Sequence, residues 1–198
     1  MTDLSTYEPH VAYVAPARLS ADLPRLVIGV LLIELGYSFA QEVIDVLLLA
    51  VSEQAVSIFY LGTTRLGLLL QLTSFGFLAL AVMVITRQLH QRPAVTLFGP
   101  LGATLWGLRK ATLACLTALI VIELLPPYFD LTVLQANNTL LWLTLLPLSM
   151  AALLIQTGAE ELLYRGYIQQ QLAARFASPW IWMGLPNLLF AFAHWNPA

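Results

Sequence analysis

Apolar residues run in long stretches along this chain, with polar residues gathered mainly between them. A bilayer-crossing helix needs roughly 20 predominantly apolar residues. Five stretches approach or reach that length. The first, Leu26–Val51, contains Glu34, Glu42 and Asp45, whereas the second, Leu66–Ile85, carries no charge. The third centres on Ala111–Leu125 and reaches spanning length if Arg109 and Lys110 snorkel at its start. Leu140–Ile155 holds Pro147, and Trp180–Trp195 is the last stretch. Pro126-Pro127 and Asn137-Asn138 mark the connection between the third and fourth, and Ser178-Pro179 a turn before the fifth. The pattern predicts an all-α polytopic membrane helix bundle of about five spanning helices. Residues 1–25 read as a short, mobile N-terminal tail and 26–198 as one membrane-embedded domain, with no internal repeat.

The first stretch is not uniformly apolar. At about 100° per residue, Glu34, Ser38, Gln41, Glu42 and Asp45 fall within an arc of about 100°. Such a stripe on a spanning helix faces a bundle interior or a water-filled cavity, unless the helix lies in the interface.

Composition agrees with the pattern. Of 198 residues, 59% are hydrophobic and 10% charged, against roughly 25% charged in soluble domains. The net charge of -2 implies no nucleic-acid partner. Cys115 is the one cysteine, which excludes an intrachain disulfide and a cysteine-based metal site. The nine basic residues divide eight to one between alternate sides of the predicted spans, with Arg65 alone on its side. The positive-inside rule therefore predicts an integral membrane protein with a cytoplasmic N-terminus, a cytoplasmic Thr86–Lys110 loop and a Pro126–Thr139 loop on the other face. The expected membrane is a prokaryotic cytoplasmic membrane.

Two polar groups interrupt the apolar C-terminal part. Glu160-Glu161-Leu162-Leu163-Tyr164-Arg165-Gly166 follows the fourth stretch, and Phe190-Ala191-Phe192-Ala193-His194 closes the fifth. Ionisable residues in such places are costly and require a role. Glu161 and Arg165 are four apart, so they share a helix face with the acid on the favourable N-terminal side. Glu160 then points about 100° away. A carboxylate in a poorly hydrated site suits a general base near neutral pH, and His194 is its obvious partner, binding or orienting the same water or donating to an oxyanion. At about 1.5 Å per residue, Glu160 lies about 27 Å before a turn at Ala177–Pro179 and His194 about 23 Å after it, a similar depth in an antiparallel hairpin. A single helix over Leu140–Ala177 would be about 57 Å long against a hydrocarbon core of about 30 Å, so a break near Thr157-Gly158 or a protruding end is expected.

These residues resemble the CPBP family, the CAAX protease and bacteriocin-processing (Abi) proteins, which include the CAAX prenyl endopeptidases. The family's Glu-Glu-x-x-x-Arg motif is matched by Glu160, Glu161 and Arg165, followed by Gly166, with Tyr164 at a usually aromatic position. Its Phe-x-x-x-His motif is matched by Phe190 and His194, and the interval of about thirty residues also fits. The resemblance covers Gln156–Asn196, within a motif-bearing part at 140–198. It implies an intramembrane endopeptidase in which Glu160 activates water beside His194, with Glu161, Arg165 and Phe190 in support. The family's third motif, His-x-x-x-Asn or Asp, has no counterpart here, because His10 and His90 lie elsewhere at the wrong spacing. The resemblance therefore implies a C-terminally shortened form with little or no peptidase activity of its own.

No cofactor is required by the sequence. A divalent metal enters through the metalloprotease label some family members carry, and Glu160 and His194 would be its ligands. Implied partners are the lipid bilayer and a peptide or membrane-protein substrate, with room for a homo- or hetero-oligomer. Two other readings stand beside the protease. One is a catalytically inactive membrane binding or immunity protein that keeps the motif hairpin for partner contact. The other is a small transporter using Glu34, Glu42 and Asp45 as a proton or cation relay.

Overall fold

The computed structural model describes residues 8–125 and 139–195, and all regular structure in them is helical. Helix α1 (Glu8–Val14) runs into a 3-10 turn (Ala15–Ser20), followed by α2 (Leu23–Leu49), α3 (Glu53–Leu61), α4 (Arg65–Ser74) and α5 (Gly76–Leu89). A second 3-10 turn (Ala94–Leu97) precedes α6 (Leu101–Leu124). Helix α7 (Thr139–Glu161) continues through a π-helical segment (Leu162–Gln169) into α8 (Gln170–Arg175). A π-helical turn (Trp180–Gly184) then leads into α9 (Leu185–Ala193). Among the described residues, four helical stretches are long and apolar enough to cross a membrane: Leu23–Leu49, Arg65–Leu89, Gly102–Ile122 and Leu143–Arg175. Trp180–Ala193 is apolar but shorter. The protein is an all-α, polytopic integral membrane protein.

The chain divides into two compact units, Met1–Phe98 with Ala152–Ala198, and Gly99–Ala151. In the second unit, α6 starts well before the predicted stretch and takes Arg109 and Lys110 into its interior. Lys110 Nζ lies 3.6 Å from the centroid of the Trp106 ring, one turn earlier, which explains how the cation is accommodated on an apolar helix.

The first unit carries the motifs. Its core joins Ile33 of α2, Leu78 and Val82 of α5, and Leu162, Leu163, Tyr167 and Ile168 of the π segment. Helix α2 packs along α5, and a Cβ at Gly29 would collide with the Tyr167 hydroxyl, so glycine sets this close approach. The region read as a loop after the first span contains α3. Ser52 caps its N-terminus by accepting from Ala55 N–H at 3.0 Å, and Gly62 ends it at φ 58°. At nine residues this helix is too short to register as a span. The second span is interrupted at Phe75, where Thr73 donates to the Leu69 carbonyl at 2.8 Å and Ser74 to that of Gln71 at 2.7 Å. Two members of the polar stripe on α2 meet neighbouring helices, Gln41 against α4 and Asp45 against α3, whereas Glu34, Ser38 and Glu42 are exposed. Gln41 donates to Ser74 at 3.2 Å, and Tyr60 donates to Asp45 at 2.8 Å.

One expectation narrows and one changes. Of the two alternatives for the long motif helix, the break at Thr157-Gly158 does not occur, because the helix runs on from α7 to Arg175 with its turns widened after Glu161, and the protruding end is left. Nor are residues 8–20 a mobile tail. Val14, Ala17 and Ser20 are buried, and Tyr13 donates to the Leu97 carbonyl at 2.9 Å. Gln170 ties this segment down. Its Nε2 donates to the Tyr13 carbonyl at 2.7 Å and to that of Thr96 at 3.0 Å, while its Oε1 accepts from Arg92 at 2.6 Å. Residues 1–7 and the Pro126–Asn138 connection, on which the other parts of those readings fall, lie outside the described residues.

His90, read from the sequence as a loop residue, is buried in a polar cluster. Its Nδ1 lies 3.0 Å from Ser20 Oγ and accepts from Gln171 Nε2 at 3.0 Å, and its Nε2 lies 2.7 Å from the Tyr167 hydroxyl. An amide nitrogen can only donate, so the ring proton sits on Nε2 and goes to Tyr167. Burial, reinforced by the Arg92 charge, pushes the His90 pKa down to about 4. The folded protein thus holds His90 neutral where the unfolded chain protonates it, at about 6.5. The stabilisation is complete above about pH 6.5 and is lost as pH falls toward 4. Thermal unfolding in detergent should show that loss between pH 7 and 4.5, and His90→Gln should flatten it. An equal slope in the variant would show that other groups carry the dependence.

Candidate active site

The two motifs meet as facing pairs on antiparallel helices. Glu160 and Tyr164 are one turn apart on the α7–π helix, and Phe190 and His194 are one turn apart at the end of α9. His194 Nε2 lies 3.6 Å from Glu160 Oε1. One turn away, the Tyr164 and Phe190 rings pack edge to face, with centroids 5.2 Å apart. The hairpin depth estimated from sequence therefore corresponds to a side-chain approach.

Each member is oriented by neighbours on its own helix. Gln156, one turn before Glu160, donates from Nε2 to Glu160 Oε1 at 2.6 Å. His194 Nδ1 lies 2.9 Å from the Phe190 carbonyl, and the Phe190 ring lies 4.3 Å from the imidazole, tilted by 37°. A carbonyl can only accept, so Nδ1 carries the proton and Nε2 presents its lone pair toward Glu160 when the ring is neutral. The Glu160 side chain is 12% exposed and that of His194 50%. A separation of 3.6 Å exceeds the 2.7–3.2 Å range of a direct N–H···O bond. With Nδ1 protonated, the two atoms that face each other across this gap are both acceptors.

Glu161 and Arg165 form their own pair, Nε to Oε2 at 3.7 Å, and Arg165 Nη1 donates to Gln169 at 3.4 Å. Glu161 is thus the expected partner of Arg165 on its helix face, and the two side chains are 61% and 40% exposed, respectively, so the pair is not buried within the protein. The Arg165 carbonyl also accepts from Tyr13 at 3.4 Å, which links the motif helix to α1.

Gln156 and Tyr164 were not singled out from sequence as partners of the site. Their signal is the four-residue spacing Gln156, Glu160, Tyr164, which puts an amide, an acid and an aromatic ring on one helical face. No group of three His, Cys, Asp or Glu side chains lies together among the described residues. Glu160 and His194 make two ligands, fewer than the three protein ligands of catalytic zinc sites. The residues present therefore do not fit a metal centre, and the chemistry below is not routed through one.

Residues 138–198 match the family model described as type II CAAX prenyl endopeptidase, Rce1-like. The match covers α7, the π segment, α8 and α9, hence both motifs, and it is the CAAX-protease family that the motifs resemble. No curated protein and no solved structure matches the chain at a significant level.

The aromatic contact has a measurable energy. In a double-mutant cycle of Tyr164→Ala and Phe190→Ala, unfolding in detergent should give a coupling of about 0.5–1.5 kcal/mol. Additive losses would mean that the rings do not hold the hairpin in register.

Proposed function

We propose that this chain, Rce1-like over residues 138–198, is an intramembrane endopeptidase of the CAAX type that hydrolyses a peptide bond with water activated by Glu160. The observation that carries this reading is the 3.6 Å approach of His194 Nε2 to Glu160 Oε1 on facing helices. A water between them donates one hydrogen to each and turns an oxygen lone pair outward. As that oxygen attacks the scissile carbonyl carbon, Glu160 takes the proton and the carbonyl oxygen becomes an oxyanion. Collapse of the tetrahedral intermediate breaks the C–N bond, and the proton held by Glu160 passes to the leaving amine. Gln156 fixes the carboxylate, and Phe190 fixes the histidine tautomer and plane. Neither needs to touch substrate, so both are positioning residues.

Cleavage of membrane-anchored peptides by the purified chain in liposomes, read by mass spectrometry over long incubation, tests the assignment. Glu160→Gln should lower the rate by about 10²–10⁴, the usual worth of a general base. Cleavage that survives Glu160→Gln undiminished would remove Glu160 from the chemistry.

For the orientation we propose a cytoplasmic N-terminus and α5–α6 connection, a reading supported by the basic residues Arg18, Arg25 and Arg87 on that side against Arg65 on the other. Reporter fusions at Gln91 and Gly62 should read cytoplasmic and external, respectively. The reverse readout would invert the topology, and equal readouts would remove Arg65–Leu89 as a span.

A further inference from the structure

A second feature lies at the far end of the motif helix. Arg175 is fifteen residues beyond Glu160, about 22 Å along the helix. There α8 ends and α1 crosses, leaving a cleft of about 310 Å3. His10, Val14 and Arg18 stand on the N-terminal side, and Arg175, Phe176 and Trp182 on the other.

The cleft is cationic above and apolar below. Arg18 and Arg175 are exposed, and neither forms an ion pair among the described residues. No carboxylate lines it among the residues whose side chains are described. His10 stacks on Trp182, with centroids 4.4 Å apart and planes 18° apart, and its Nε2 is buried without a hydrogen-bond partner among the described residues. Two large apolar side chains stand out into the surroundings beside these cations. Leu19 follows Arg18 and is 96% exposed, and Trp180 follows Pro179 and is 88% exposed. A tryptophan and a leucine left open next to arginines, at the end of the Leu143–Arg175 span, are what a headgroup-level boundary produces.

We propose that this cleft docks the phosphate of an anionic phospholipid headgroup. Arg18 and Arg175 approach the phosphate from two separate elements. Val14, Phe176 and Trp182 meet the glycerol and the first methylenes. A zwitterionic headgroup adds a cation that no described carboxylate here answers, so the site discriminates by charge rather than by the presence of phosphate. Bound lipid would bridge α1 to α8 and fasten the N-terminal segment to the end of the motif helix. The inference does not depend on peptidase activity.

The test is equilibrium binding to the purified full chain in mild detergent. Fluorescent-tailed phosphatidylglycerol is the probe, fluorescent-tailed phosphatidylcholine the zwitterionic arm, and inorganic phosphate the competitor. With about fivefold in affinity for each arginine, phosphatidylglycerol should bind about 30-fold more tightly than phosphatidylcholine. Arg18→Gln and Arg175→Gln should each remove about fivefold, and the double variant nearly all of the preference, whereas Arg109→Gln on α6 should leave it unchanged. Arg175→Lys should restore most of what Arg175→Gln loses. The single variants change exposed side chains, so the result stands even if the double variant folds poorly. Equal affinity for the two lipids, or an undiminished preference in both single variants, would overturn the proposal. Displacement by inorganic phosphate as effective as by unlabelled phosphatidylglycerol would show a free-anion site instead of a lipid site and would also overturn it.

Discussion

A carboxylate inside an apolar helix must have its charge answered by groups within a few ångströms, because neither lipid nor packed side chains will do so. The arrangement around Glu160 follows from that constraint. Its own helix supplies the Gln156 amide as donor one turn earlier, and the facing helix brings His194 Nε2 to 3.6 Å. The histidine brings the same problem, and the Phe190 carbonyl answers its second nitrogen. The Tyr164–Phe190 ring contact sets the register of the two helices, and with it the distance between acid and base. Removing either aromatic ring would loosen a chemical distance without touching a chemical group.

The same helix solves a second burial problem toward the end of the π segment and just beyond it. Tyr167, Gln170 and Gln171 are buried there, and their polar atoms take up His90, Arg92, Thr96 and the Tyr13 carbonyl. The widened turns begin directly after Glu161, so they separate the reactive pair from this polar cluster. π-Helical insertions recur at functional sites because the extra residue per turn re-aims side chains. Here the segment buries Leu162, Leu163, Gly166, Tyr167 and Ile168 against the core while Glu160 stays on the face toward α9.

Some of this was legible in the sequence and some was not, for physical reasons. The long spans show through composition alone, since about 20 apolar residues in a row have few other stable destinations. The Glu160–His194 pairing was legible because a hairpin turns residue counts into depth. Gln156 was within reach of the same reasoning, as a residue one turn from an acid. The His90 cluster was not, because its partners Ser20 and Tyr167 lie 70 and 77 residues away and no local periodicity links them. Arg92 counts as a topogenic loop charge in the sequence, yet it is buried in the fold. Its Nη1 is bonded to Thr96 and Gln170, while Nε and Nη2 have no partner among the described residues. Helix α3 escaped notice because span-length windows are blind to a nine-residue helix, although its Ser52 and Gly62 caps were readable.

The central claim is that the Phe190 carbonyl holds His194 with its proton on Nδ1 and its Nε2 turned to Glu160. Nitrogen-15 NMR of the histidine-labelled chain, with His194 assigned by its loss in His194→Gln, reads this directly. The geometry predicts an Nδ1–H tautomer for His194 and a displaced Nε2 resonance when Glu160→Gln replaces the facing carboxylate, with the His90 signals unmoved. An Nε2–H tautomer, or an Nε2 resonance indifferent to Glu160→Gln, would contradict it.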